Sequence, residues 1–231
     1  MNVRSVHLPI DDPATDRVTA AVHEVTRARG RPVLLVPGAG GDLDSEGLTA
    51  LAATLAGLGH PVVRANLPHH EVGRRTAPRA ERSVPPYRQL LEAAIEHLRR
   101  PGPWILGGKS YGGRVASLAV AGGTPAAGLL FYGYPLHPPG RPEKLRVDHW
   151  PHIGAPCLFL QGDRDPFCDL ELLHTHLRKL PRRPTLHVVH GGDHSLAVAG
   201  SASADGVPRS APETLRSLSP TLREWASTLE T

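Results

Sequence analysis

The chain has little sulfur and few aromatic rings: two cysteines, one methionine, three Trp, four Tyr and three Phe in 231 residues. Cys157 sits inside an apolar run and Cys168 follows a turn. Such a pair excludes the disulfide framework that staples small secreted domains. No stretch approaches the roughly 18 consecutive apolar residues of a membrane-spanning helix. Residues 1–7, Met-Asn-Val-Arg-Ser-Val-His, lack the apolar centre of a secretory signal. A cytoplasmic protein with no membrane partner is therefore expected. With aromatics at 4%, Leu, Val and Ala must build the core.

Concentrated positive charge is also missing. The net charge of +4 comes almost entirely from arginine, a bias of the kind that GC-rich bacterial coding sequences carry. These arginines are scattered among acids, with a modest cluster only at 74–82. A nucleic-acid binder gathers basic residues on one face and interleaves stacking aromatics, so no nucleic-acid partner is expected. The length suits a single domain, 1–231, with an N-terminal strand or hairpin region (1–29) ahead of a core (30–231).

Short apolar strands alternate with longer amphipathic stretches, the pattern of a mostly parallel sheet covered by helices on both faces. Strands are expected at 5–10, 32–36, 62–65, 127–132, 155–161 and 186–189, with a further apolar strand that starts at 104 and runs into Gly108. Helical spacing appears at 45–58, where Leu48, Leu51, Leu55 and Leu58 share a face before Gly59. It recurs at 87–100, 111–121, 170–180 and 212–229. Residues 17–29 fit strand or helix equally, and 66–84 reads as a polar loop.

The apolar strand that starts at Trp104 runs straight into Gly108-Lys109-Ser110-Tyr111-Gly112, and a helix starts at once. A serine in G-x-S-x-G at a strand-to-helix turn is the nucleophile elbow of the α/β-hydrolases. The turn forces Ser110 into strained backbone angles, and side chains two residues away on either side are expected to collide with it. Gly108-Lys109-Ser110 also ends a phosphate-loop pattern, but that pattern needs glycine at 103, which is Pro103. Residues 37–41, Pro-Gly-Ala-Gly-Gly, suggest a dinucleotide fingerprint, which fails because position 43 is Leu43. No cofactor is expected. Large lids of this fold occupy the connection before the strand at 157. Here it spans only about twenty residues, which include Pro138, Pro139, Pro142, Pro151 and Pro156, so little or no lid is expected.

Serine needs a base, and the base needs an orienting acid. In this fold the acid and then the histidine follow later strands. Asp163 and Asp165 follow one strand, and His190 and His194 follow the next. Asp165 is preferred for its spacing and for Pro166 after it; His194 is preferred because it lies farther out on its loop. A Ser110, Asp165, His194 triad is thus expected at one sheet edge. The backbone N–H groups of Ala39 and Tyr111 would form the oxyanion hole. His69, His70 and Arg74 are read as a candidate substrate loop. A metal site at His69-His70-Glu71 lacks a third ligand at suitable spacing, and no metal is expected. Lys109 would favour an anionic substrate if it faced the site, but it is expected to turn away.

The chain also resembles the dienelactone-hydrolase-like α/β-hydrolases that include the testis-expressed proteins and a subunit of the NSL histone-acetyltransferase complex. The residues carrying this resemblance are 37–42, Asn66-Leu67-Pro68 with Gly73-Arg74-Arg75, 108–114, 133–138 with Lys144-Leu145-Arg146, 161–165 and 193–196. The resemblance implies an α/β-hydrolase fold and the same triad. Dienelactone hydrolases themselves use cysteine, so serine at 110 argues against carrying lactone chemistry over. A serine hydrolase of a small carboxylic ester or thioester is expected. The alternative is a catalytically weak binding or scaffold protein.

Overall fold

In the computed structural model, which describes residues 2–74 and 76–229, eight strands form one twisted sheet in the order β1-β2-β4-β3-β5-β6-β7-β8. Strands β1 (Asn2–Asp12) and β2 (Thr15–Glu24) make an antiparallel hairpin, and β2 pairs antiparallel with β4 (Val62–Ala65). From β4 onward the pairing is parallel through β3 (Val33–Val36), β5 (Trp104–Lys109), β6 (Ala126–Tyr132), β7 (Cys157–Gly162) and β8 (Thr185–Val189). The undecided stretch at 17–29 is therefore mostly strand. Its Val18, Ala20 and Val22 reach the core at period two, and the partner hairpin strand decides what local propensity could not.

The central strands are apolar on both faces, as a parallel sheet sandwiched by helices requires. Leu34, Val36, Leu106, Leu129, Phe131 and Phe159 point into one core. Their neighbours Val33, Leu35, Ile105, Leu130, Tyr132 and Leu158 point into the other. The first core is closed by α3 (Val84–Leu98), α4 (Tyr111–Ala121) and α5 (Leu170–Leu177). The second is closed by α1 (Glu46–Gly57), α6 (Ala211–Ser217) and α7 (Ser219–Ser227). A one-turn helix, α2 (Pro68–Glu71), follows β4.

Helix boundaries differ from expectation at three places, one being the end of α5 at Leu177, three residues short of the expected 180. Helix α3 starts at Val84, three residues earlier than expected, because Pro85 and Pro86 fall in its first turn, where no N–H is needed. The expected C-terminal helix is broken at Leu218 into α6 and α7. Pro220 lacks the N–H that would continue the first helix, and its ring would crowd the carbonyl of Arg216.

Order along the sheet reverses between β3 and β5. The connection from β3 leads through α1 to β4 on one side, and the next leads through α3 back across to β5 on the other. Loops after β3 and β5 both emerge at the carboxyl edge where the order reverses, the usual ligand position in open α/β sheets. The connection from β6 to β7 holds only a single 3-10 turn, Trp150–His152. It is folded down by the Tyr134 hydroxyl donating to Arg146 O (2.7 Å) and by Trp150 Nε1 donating to that hydroxyl (3.2 Å). This connection therefore holds no lid. Among the described residues, no helix is long and apolar enough to cross a membrane.

Candidate active site

Ser110 occupies the sharp turn between β5 and α4 with φ 49° and ψ −111°. A non-glycine residue in that region stores roughly 1–3 kcal/mol of backbone strain, which the flanking strand and helix must hold. The glycines beside it serve a purpose other than the one expected. A Cβ at Gly108 would lie 2.1 Å from the Val36 carbonyl oxygen, and one at Gly112 would lie 2.3 Å from the same atom. They clear the end of β3, across which the start of α4 packs, rather than Ser110 itself. Tyr111 is the first residue of α4, so its N–H has no acceptor within the helix.

Asp165 and His194, on the loops after β7 and β8, reach this turn. His194 Nε2 lies 2.8 Å from Ser110 Oγ, and His194 Nδ1 lies 2.7 Å from Asp165 Oδ2. A carboxylate only accepts, so Nδ1 donates to Asp165 and Nε2 is left to accept from the serine hydroxyl. The Asp165 carboxylate has no solvent exposure, while the His194 side chain keeps 19%. Oδ2 also accepts from Gln161 Nε2 (2.6 Å), and Oδ1 accepts from the Phe167 N–H (2.8 Å). The Phe167 ring stacks on the imidazole at 4.3 Å, so one residue steadies both partners. The competing pair lies elsewhere: Asp163 faces His190 at 3.1 Å, and the His190 side chain is 88% exposed.

The loop after β3 passes beside the elbow, with a Cβ built at Gly38 only 3.6 Å from Ser110 Cβ. It is fixed by polar side chains of β4, of α2 and of the residues between them. Asn66 accepts from the Leu43 N–H (2.9 Å), while Arg64, buried within β4, donates to the Leu43 carbonyl and to Thr49 Oγ1 (2.8 Å). His70 accepts from the Leu67 N–H (3.1 Å), which places its proton on Nε2, and Nε2 donates to Gly38 O (3.0 Å). His70 is thus a brace under the Ala39 turn rather than part of an open substrate loop. His69 is buried with its ring 5.6 Å from that of Tyr111, and burial together with neighbouring His70 lowers its pKa to about 4. Arg74 is exposed and lines a separate cavity of about 480 Å³ with His69, Arg82 and Ser83.

Lys109 also departs from expectation. Its ammonium turns toward the histidine loop and donates to His194 O (2.9 Å) and Ser195 Oγ (3.0 Å). Burial lowers its pKa to about 8, partly offset by the Asp165 and Asp193 carboxylates. Spacing alone could not show this, because strand alternation does not say where a long flexible side chain ends. Gln161 and Phe167 escaped notice for a similar reason: neither carries a motif, and their roles arise only from contacts.

Residues 29–215 match the family model described as the alpha/beta hydrolase domain. The chain belongs to this alpha/beta hydrolase family. Solved α/β-hydrolase structures align over nearly its whole length at low identity. One is a serine hydrolase without a lid from Xanthomonas campestris (22% identity, 99% of this chain and 96% of that one, TM-score 0.69). Another is a thermophilic esterase from Thermogutta terrifontis (19%, 99% and 100%, TM-score 0.67). A third is a dienelactone hydrolase from Anabaena variabilis (17%, 98% and 97%, TM-score 0.68). At these identities the hydrolase shares their fold.

Proposed function

We propose that this α/β-hydrolase is a serine hydrolase that cleaves a small carboxylic ester or thioester through a Ser110, His194, Asp165 triad. The observation that carries the reading is the unbroken hydrogen-bond chain from Ser110 Oγ through His194 to buried Asp165, set at a strained elbow at the carboxyl edge of the sheet. Ser110 Oγ attacks the carbonyl carbon while His194 Nε2 takes its proton. Asp165 holds the imidazole tautomer and stabilises the imidazolium that forms. The N–H groups of Ala39 and Tyr111 receive the tetrahedral oxyanion, the latter aided by the N-terminal end of the α4 dipole. The imidazolium then protonates the leaving alkoxide or thiolate. Water, deprotonated by the same histidine, releases the acid from the acyl-enzyme.

The lid-free Xanthomonas hydrolase and the Thermogutta esterase support small, accessible esters as substrates. Serine at 110, with both cysteines buried, supports ester rather than cysteine-dependent dienelactone chemistry. Fluorophosphonate labelling tests the reading. The parent should label, Ser110→Ala should not, and His194→Ala should lower p-nitrophenyl ester turnover by on the order of 10³-fold or more. A folded parent that neither labels nor hydrolyses would leave the binding or scaffold role suggested by the NSL-subunit resemblance.

A further inference from the structure

The chain has three lysines, Lys109, Lys144 and Lys179, against many arginines. One of the three stands beside Ser110 and reaches across to the loop that bears His194. We propose that Lys109 is a positioning residue that pins the His194 loop and so sets the imidazole's reach to Ser110, a role that rests on the hydrolase reading above.

The loop needs such a tether. Two residues past His194, Leu196 is fully buried with φ 61°, a left-handed conformation that costs a non-glycine residue free energy. Asp193 Oδ1 caps the turn by accepting from the Ser195 N–H (2.7 Å) and the Ala197 N–H (3.0 Å), but these bonds act within the loop. Attachment to the sheet comes from elsewhere. The Tyr132 hydroxyl, at the end of β6, donates to Ser195 O (2.8 Å). Lys109 supplies the bonds nearest the imidazole, to His194 O and Ser195 Oγ. Its remaining N–H meets the face of the Tyr132 ring, with Nζ 4.4 Å from the centroid. Gly133 permits the approach, since a Cβ there would sit 2.7 Å from His194 O.

A compact ammonium directs three donors tetrahedrally onto a carbonyl, a hydroxyl and a ring face. A planar guanidinium cannot match that set, which explains lysine in an arginine-rich chain. The charged and titratable groups around it are Asp165 after β7, Asp193 and His194 after β8, and Tyr132 on β6. Tyr132 stays neutral because burial raises its pKa. Below about pH 8 the ammonium makes charge-assisted bonds, roughly twice as strong as neutral ones. Above it the amine keeps two N–H groups without the charge, and the tether slackens.

Lys109→Met, Lys109→Arg and Ser195→Ala should be compared with the parent in p-nitrophenyl ester kinetics from pH 6 to 10. The downfield proton NMR resonance of the His194 Nδ1–H would be recorded alongside. Lys109→Met should lower kcat by on the order of 10- to 100-fold, the scale set by ångström misplacement of a catalytic group, with KM within about threefold. It should also broaden the imidazole resonance while the far-UV spectrum is unchanged. Lys109→Arg should recover part of that loss, and Ser195→Ala should show a smaller drop. The parent should lose activity as pH rises through about 8, a limb absent from Lys109→Met and Lys109→Arg. Parental kcat and resonance in a folded Lys109→Met, or the same alkaline limb in all forms, would overturn the proposal. A parent without turnover would instead sink the hydrolase reading, while the resonance still decides whether Lys109 sets the imidazole.

Discussion

Replacing Asp165 by asparagine exchanges one carboxylate oxygen for an NH₂ group and separates catalysis from folding. The Phe167 N–H, fixed by the backbone, donates to Oδ1 at 2.8 Å, so the new side chain must place its carbonyl oxygen there. Its NH₂ group then stands at the Oδ2 position, facing Gln161 Nε2 and His194 Nδ1, which were 2.6 and 2.7 Å from the carboxylate. Gln161 can adapt. Its Oε1 is buried with no partner among the described residues, and turning the amide over offers that oxygen to the new donor. Folding should lose no more than about 1–2 kcal/mol, the worth of a hydrogen bond or two. His194 cannot adapt without harm. Its Nδ1 must now accept, which moves the proton to Nε2, and Nε2 then donates toward Ser110 instead of accepting from it. The wrong tautomer in such a triad costs roughly 10⁴-fold, or about 5.4 kcal/mol at 1.36 kcal/mol per decade. Asp163→Asn is the control, because its partner His190 is solvated, and about threefold or less should be lost. The assay is kcat/KM for p-nitrophenyl butyrate at pH 7.5, with the melting temperature measured on the same samples. Asp165→Asn retaining more than about a tenth of parental activity, or Asp163→Asn proving the more damaging change, would refute the assignment.

His70→Ala should lower kcat by about tenfold with little change in KM, because the Ala39 turn loses its support at Gly38 while both oxyanion donors remain; parental kcat would show that the turn is held without it. Acid should destabilise the protein through His23 and His69, whose pKa values burial lowers to about 4. Each stays neutral in the native state but binds a proton in the unfolded state below about pH 6.5. Stability is therefore level above that pH and falls as pH drops toward 4, by about 2 kcal/mol for each histidine at pH 5. A urea midpoint unchanged between pH 7 and pH 5 would contradict this.

Much of the sheet was legible because its signals are local. Val33–Val36 and Cys157–Gly162 are short apolar runs flanked by Pro and Gly, and such runs fit a strand buried on both faces. Residues 17–29 were not legible, since a hairpin partner, rather than their own spacing, makes them strand. The break at Leu218 is hidden although Pro220 stands in the sequence, because the apolar period continues through it and masks the missing N–H. Asp165 and His194 could be preferred over Asp163 and His190 from position alone. That Asp165 is buried and His190 solvated depends on how two loops fold over the strand ends.

By itself, the sequence determined the parallel architecture, the strand-to-helix turn at Ser110, and the placing of an aspartate and then a histidine after later strands. These rest on period, on glycine and proline, and on residue type, all properties of neighbours in the chain. Tertiary structure decided which polar side chains support the site. Lys109 grips the His194 loop 85 residues away, and His70 braces Gly38 from 32 residues away. Such bonds form wherever strand ends converge and long side chains meet desolvated partners. That convergence is set by the packing of the whole sheet, and no local pattern encodes it.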